Sequence, residues 1–289
     1  DLINSDVEDF RKRHKLTIDG RDWKLQLAKE DLIKNNPQLI KIHYSPFDVR
    51  YTFYTGKTKG FQAYPRKEVT TNFVKKENFG LIHLRQNNGS KDFVTIITNH
   101  MTEKGSLVCG NYYISPLYLY PEKTGQLSLH ENTNQRTPNL NIEIIDKIAE
   151  QLNHVFLPDE NIVCDLPAGF DGTFSPLDIL DYIYAVLHSP TYREKYKEFL
   201  KIDFPRIPYP KDAKTFWQLV ELGSQIRQIH LLESAKVEDY ITEFPIDGDC
   251  IVTKPKFEPN LVKVQNLDKV NSKTEPTNSE PNLVKVQNL

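Results

Sequence analysis

The chain has 289 residues, 38% of them hydrophobic and 26% charged, with a formal net charge of −2. Such a composition is expected of a soluble globular protein long enough for one large domain or two modest ones, each with a core. It contains no run of about eighteen apolar residues, which excludes a membrane-spanning helix.

Residues 1–36 read as helical and polar, with Trp23, Leu25, Leu27, Leu32 and Ile33 as the expected burial anchors, and Asn35-Asn36-Pro37 breaks the pattern. From 38 to about 120 the signal changes to short β-rich runs: Leu39–Tyr44, Val49–Tyr54, Phe79–Leu84, Phe93–Thr98 and Tyr112–Ile114. Gly56, Gly60, Asn87-Asn88-Gly89 and Lys104-Gly105 punctuate them. Helical periodicity begins at 139, with Leu140, Ile142, Ile144, Ile145, Ile148 and Leu152 on one amphipathic helix. Ser175-Pro176-Leu177-Asp178 carries an N-cap hydroxyl, a proline at the first helical position and an acid at the capping-box position. Ser189-Pro190 repeats the start and predicts a helix with Tyr192, Tyr196, Phe199 and Leu200 on one face, stopped by Pro205, Pro208 and Pro210. A third helix is predicted over 213–233, apolar at Phe216, Leu219, Val220, Ile226 and Ile229. The tail holds an identical decapeptide twice, Glu258–Leu267 and Glu280–Leu289; each copy alternates briefly, which permits short strands or a β-arm, and two copies are too few for a solenoid.

The N-terminus, Asp1-Leu2-Ile3-Asn4-Ser5-Asp6, is acidic and polar, unlike a signal peptide, and the missing initiator Met fits a fragment or a processed chain. Cys109, Cys164 and Cys250 are odd in number and far apart, so neither a disulfide framework nor a zinc cluster is expected. Three idle thiols fit a reducing, cytoplasmic location.

Catalytic signatures are missing. There is no Walker loop, no nucleophile elbow and no His pair at metal-binding helical spacing, and the eight His residues are scattered. Asp165-Leu-Pro-Ala-Gly169-Phe-Asp-Gly172-Thr-Phe174 is similar to the glycine-rich loop that holds S-adenosylmethionine, but its glycines are three apart rather than two. No Asn/Asp-Pro-Pro-Tyr/Phe motif exists to hold a flipped base. Pro158-Asp159-Glu160 lacks the nearby Lys of a nuclease site. No catalytic, cofactor-binding or metal-binding residue is expected in this chain.

Charge is segregated. Residues 41–90 hold nine Lys/Arg against three Asp/Glu, a balance of +6, whereas 121–181 hold three against eleven, a balance of −8. The basic half is where a polyanion would bind. Aromatics interleave with its cations: Tyr44 and Arg50, then Lys57, Lys59, Arg66 and Lys67, then Arg85-Gln86-Asn87-Asn88, then Tyr112-Tyr113. Arg, Gln and Asn have forked donor and acceptor geometry that matches base edges in the major groove, and Lys suits phosphates.

Tyr44-Ser-Pro-Phe-Asp-Val-Arg50, Pro65-Arg66, Gly80-Leu-Ile-His-Leu-Arg85-Gln86, Pro116-Leu-Tyr-Leu-Tyr120 and the long stretch from Asp178 to Pro208 occur in this order in one group of proteins. Over roughly 15–255 the chain resembles the C-terminal specificity region of bacterial type ISP and related type IIG restriction–modification enzymes. The resemblance implies a target-recognition module downstream of nuclease and adenine-N6 methyltransferase domains of one polypeptide, with S-adenosylmethionine bound by the upstream domain. It also implies that the β module supplies the major-groove contacts. After about 255 the sequence departs from the family pattern.

The expected fold is α+β: a twisted, mostly antiparallel β-rich module over 37–138, then a helical subdomain over 139–253. Residues 1–36 form a helical coupler, and 254–289 form the tail with the duplicated decapeptide. The expected function is sequence-specific recognition of double-stranded DNA. The rivals are a protein-interaction module of a phage-defence complex and a degenerate S-adenosylmethionine-dependent methyltransferase.

Overall fold

Short β-branched and aromatic runs pair locally along the first half of the chain, and helices close the core in the second, the central one launched by a Ser-Pro start. The computed structural model describes residues 1–86, 93–103, 107, 112–121, 136–159, 162, 169, 171–240 and 283–285. A 3₁₀ turn at Leu2–Asn4 leads into α1 (Val7–Arg13), capped by the Asp6 carboxylate, and then α2 (Leu25–Lys34). β1 (Gln38–Ser45) and β2 (Asp48–Tyr54) form an antiparallel hairpin. A single-turn helix, α3 (Lys67–Thr70), precedes β3 (Gly80–Leu84), β4 (Thr95–Thr98), β5 (Met101–Thr102) and β6 (Tyr112–Pro116). β3 lies between β4 and β6, antiparallel to both, while β5 runs parallel to β1. β7 (Tyr118–Leu119) pairs with β8 (Thr137–Pro138).

α4 (Ile142–Leu152) and β9 (His154–Phe156) follow, with β9 parallel to β10 (Gly172–Phe174). The remaining elements are α5 (Pro176–His188), α6 (Pro190–Lys195), a 3₁₀ turn at Phe199–Lys201, β11 (Arg206–Pro208) and α7 (Ala213–His230). β12 (Leu283–Lys285) pairs antiparallel with β11. The architecture is α+β with mostly antiparallel pairing, as expected from sequence.

α5 is the centre of the main core. Ser175 and Asp178 close a reciprocal capping box: the Asp178 N–H donates to Ser175 Oγ (3.3 Å) and the Ser175 N–H to Asp178 Oδ2 (2.7 Å). Ten of its thirteen residues are buried, so it meets neighbours on every side. α4 contributes Ile145, Ile148 and Leu152, α7 contributes Phe216 and Val220, and the strands contribute Leu81 and Ile97. β3 and β4 are buried on both faces, because Ile82 and Ile96 pack with Leu107 on the side away from α5. This explains the adjacent apolar pairs Leu81-Ile82 and Ile96-Ile97, one side chain for each face.

Among the described residues, one ion pair lies inside the core. Arg227 of α7 reaches Asp181 of α5 through two hydrogen bonds, Nε–Oδ1 at 2.7 Å and Nη2–Oδ2 at 3.0 Å. The helices cross closely there: a Cβ added at Gly223 would lie 1.9 Å from the Asp181 carbonyl oxygen. Burial raises the Asp181 pKa, and the Arg227 hydrogen bonds and charge oppose that rise.

Four expectations need correction. Leu25 and Leu32 are buried, but Leu27 and Ile33 are exposed, since α2 has only one face against the protein. The helix after Ser189 ends at Lys195, well before the prolines, and Phe199 and Leu200 fall in the separate 3₁₀ turn. α7 ends at His230 rather than 233, where Leu232 adopts a left-handed backbone. α3 and β5 were not anticipated; both are shorter than any periodicity can register.

Two outcomes follow for stability. Ser175→Ala is expected to cost about 0.5–2 kcal/mol by chemical denaturation, through loss of the cap. Asp181→Ala leaves the Arg227 guanidinium buried without its partner and is expected to cost about 3–5 kcal/mol. A loss below about 1 kcal/mol would mean that water reaches Arg227.

Candidate nucleic-acid interface

The residues expected to meet DNA fall into three clusters, each held by a different local device. The first is the β1–β2 hairpin. The register shifts between His43 and Ser45, and Phe47 at the tip takes a left-handed backbone (φ 64°). Phe47 then rests edge-on against His230 at the end of α7, 5.9 Å between ring centroids. Arg50 is not simply presented to solvent. It grips Asp48 through Nε and Nη2 (2.9 and 2.7 Å) and lies 3.8 Å over the Tyr44 ring. Contact with a base or phosphate through that edge would therefore require release from Asp48, and the Tyr44 ring fixes where the guanidinium starts.

The second cluster is the loop from Thr55 to Lys67. Its organiser is Asp31 of α2, which is fully buried and accepts hydrogen bonds from Thr55 Oγ1, the Phe61 N–H and Asn35 Nδ2, each at 2.7 Å. Burial raises its pKa, but these three donors outweigh burial and hold the carboxyl below its usual range. Gly60 touches the same carboxylate: any Cβ there would come within 2.1 Å of Oδ2. Trp23 Nε1 adds a hydrogen bond to the Phe61 carbonyl (2.9 Å). The loop so fixed presents Lys57 and Lys59 to solvent, and Lys59 and Arg66 both adopt left-handed backbones. Arg66 lies at the start of α3, 6.0 Å over the Tyr64 ring, and Lys67 is exposed beside it.

The third cluster sits at one end of the β4–β3–β6 sheet. Arg85, the first residue after β3, stands 5.7 Å over the Phe204 ring. Tyr113 of β6 meets the same ring edge-on at 5.1 Å and stacks on His83 at 6.2 Å. Arg85 and Gln86 are exposed, and Tyr113 is 45% exposed, so an aromatic shelf carries an accessible guanidinium. Tyr112 alternates to the other face, where it is half-buried and its hydroxyl lies 3.5 Å from Thr102 Oγ1. Asn87 and Asn88 lie outside the described residues.

Sequence reasoning missed several participants. Phe204 sits in a Phe-Pro segment that reads as a helix stop, yet it is the common support of Arg85, Tyr113 and His83. A cleft of about 530 Å³ is lined in part by Lys41, Lys75, Lys76 and Arg136, with Glu77 and Glu233 at its wall. Two of these cations lie over tyrosine rings: Lys76 is 4.5 Å from Tyr120, and Arg136, paired with Asp159, is 4.0 Å from Tyr118. The Asp159 noted in sequence thus forms an ion pair. Of the glycine-rich stretch 165–174, Gly172–Phe174 is a strand, and Gly172 clears the His154 ring. The rest, apart from Gly169 and Asp171, lies outside the described residues, as do all three cysteines. Among the described residues, no group of three His, Cys, Asp or Glu could hold a metal ion, and no helix is long and apolar enough to cross a membrane.

The arrangement defines a class: a mixed α+β module whose accessible guanidinium and ammonium groups stand on aromatic or backbone supports. The family model of the Type ISP C-terminal specificity domain matches residues 1–275, and the chain belongs to that family. A search of curated proteins gave no match. Among solved structures, the DrdV–DNA complex aligns with a TM-score of 0.51 at 22% identity, covering 80% of this chain and 20% of that one. The ATP-dependent Type ISP restriction-modification enzyme LlaBIII, bound to DNA, aligns at 0.48 and 19%, covering 68% and 11%. A nuclease-deletion mutant of the Type ISP enzyme LlaGI, with a DNA substrate mimic, aligns at 0.43 and 23%, covering 67% and 14%. The chain therefore spans a fifth or less of the length of these three structures.

The His83 pocket gives a pH dependence. Burial lowers the His83 pKa from 6.5 to about 4, so the folded ring stays neutral while the unfolded chain takes up a proton near pH 6.5. The His83 contribution to stability is expected to fall as pH drops from about 6.5 to about 4 and to level off below. His83→Asn should lose on the order of 2 kcal/mol less than the parent chain between pH 7 and pH 5, measured by denaturant titration.

Proposed function

We propose that this chain reads a sequence in double-stranded DNA for catalytic domains of the same polypeptide. On this reading an upstream methyltransferase binds S-adenosylmethionine and methylates an adenine at N6, and an upstream nuclease cuts unmodified DNA. The observation that carries the reading is membership, over residues 1–275, in a family of specificity domains. The DrdV–DNA complex, whose alignment covers 80% of this chain, agrees with it. Arg85 on its aromatic shelf supports base readout: an exposed fork suits guanine O6 and N7, and neighbouring Gln86 suits adenine N6 and N7. Lys57, Lys59, Arg66 and Lys67 suit phosphates, which fix register without reading sequence.

The test is a selection of bound duplexes from a random pool, followed by binding to the selected and a scrambled duplex over a range of salt. Affinity is expected to fall with a log–log slope of about −0.9 per phosphate contacted. The double variant Arg85→Ala/Gln86→Ala should lose discrimination between the two duplexes while keeping its affinity for the scrambled one. Each good bidentate pair contributes about 1–3 kcal/mol to that discrimination. An equal drop on both duplexes would demote the pair to backbone contacts. A flat salt response, or no enriched sequence, would overturn the reading.

A further inference from the structure

The duplicated decapeptide meets the fold at one place. Leu283–Lys285, inside the second copy, pairs antiparallel with β11 in the register Arg206↔Lys285, Ile207↔Val284, Pro208↔Leu283. β11 can accept a strand on one edge only. The Tyr192 hydroxyl donates to the Arg206 carbonyl (2.7 Å) and the Tyr182 hydroxyl to the Pro208 carbonyl (2.9 Å), so both carbonyls turn toward the helices. Backbone groups alternate along a strand, which turns the N–H and C=O of Ile207 to the opposite edge, where Val284 lies. Pro208 has no N–H to offer. The acceptor edge is therefore a single residue wide in hydrogen bonds, and it needs little more from its partner than one exchangeable backbone pair with the right neighbours.

The first copy supplies the same neighbours. Glu258–Leu267 and Glu280–Leu289 are identical over all ten residues, so Leu261-Val262-Lys263 corresponds to Leu283-Val284-Lys285. An edge that accepts one copy has the same complementarity for the other. Only the tether differs: the path from Tyr240 to Leu283 is about twice that to Leu261. Loop closure weakens as about the three-halves power of length, so the nearer copy is favoured by about threefold when all else is equal.

We propose that the Ile207 edge of β11 is a strand-accepting site that both decapeptides occupy in exchange within one chain, and that whichever copy is displaced leaves the fold. The tail is then a duplicated ligand for one docking edge, with Leu261–Lys263 as the second occupant. The proposal is independent of DNA binding.

Proline at the central position removes the required N–H from either copy. In the full chain, hydrogen exchange at the Ile207 amide is compared in Val262→Pro, Val284→Pro and the double variant. Protection is expected to survive both single substitutions and to disappear in the double. Loss in Val284→Pro alone would overturn the proposal, and so would retention in the double. A second readout uses Arg206→Cys with Lys263→Cys and Lys285→Cys, after Cys109, Cys164 and Cys250 are changed to Ser. Arg206 and Lys285 face each other as a non-hydrogen-bonded pair, which brings Cα atoms to about 4.5 Å, within reach of a disulfide. In a glutathione buffer, intramolecular bridges to both 263 and 285 are expected, with about threefold more to 263. A bridge to 285 alone, or bridges that link two molecules, would overturn exchange within one chain.

Discussion

The pairing of Asp181 with Arg227, at the point where α5 and α7 cross over Gly223, is the constraint around which the protein is assembled. Two charges in a core are tolerated when each satisfies the other with good geometry, and here two hydrogen bonds do so. The close crossing leaves no room for a side chain at 223, so the guanidinium finds its carboxylate at a fixed rotation and depth of α7. A purely apolar interface between these helices would allow sliding. The ion pair sets one register, and with it the position of the α7 C-terminus.

That position matters because an aromatic chain starts there. The Tyr184 hydroxyl of α5 shares a hydrogen bond with His230 Nδ1 at 2.5 Å and accepts the Ile97 N–H of β4 at 3.2 Å. Burial raises the Tyr184 pKa well above its usual value, which keeps that hydroxyl protonated. His188 adds its ring to both Tyr184 and His230, and His230 receives Phe47 from the hairpin tip. The central helix is thus joined through hydrogen bonds and ring contacts to both β4 and the hairpin that carries Tyr44 and Arg50. Each surface cluster has a comparable anchor: Asp31 beneath the lysine loop, Phe204 and His83 beneath Arg85 and Tyr113. A surface that distinguishes one ligand from its near relatives needs side chains whose starting positions are fixed, and these anchors lower the entropy lost on binding.

Much of the fold was legible in the sequence because its signals are local. The Ser-Pro starts of α5 and α6 and the β-rich runs of the hairpin depend on residues a few positions apart and appear where expected. The apolar stripe of α4 holds for Ile145, Ile148 and Leu152, whereas Leu140 precedes the helix and Ile142 is exposed. Legibility failed where an element is shorter than one period, as with α3 and β5, or where a helix end depends on what packs beside it, as with α6. The basic half of the chain was also visible as a charge balance. What each cation rests on was not, because Arg85 and Phe204, or Asp31 and Phe61, are far apart in sequence.

The sequence by itself determined the fold class, the helix starts, the segregation of charge and the family pattern, since all of these are written in composition, spacing and neighbouring residues. Only the tertiary structure decided that Arg50 is held by Asp48 and Tyr44, that Gly60 exists to clear a buried carboxylate, and that Arg85 and Tyr113 share one aromatic support. It also decided that one copy of a repeated decapeptide has an edge to pair with. Burial, ring stacking and strand pairing act between residues brought together by the folded chain, and no local pattern records which distant partner each will meet.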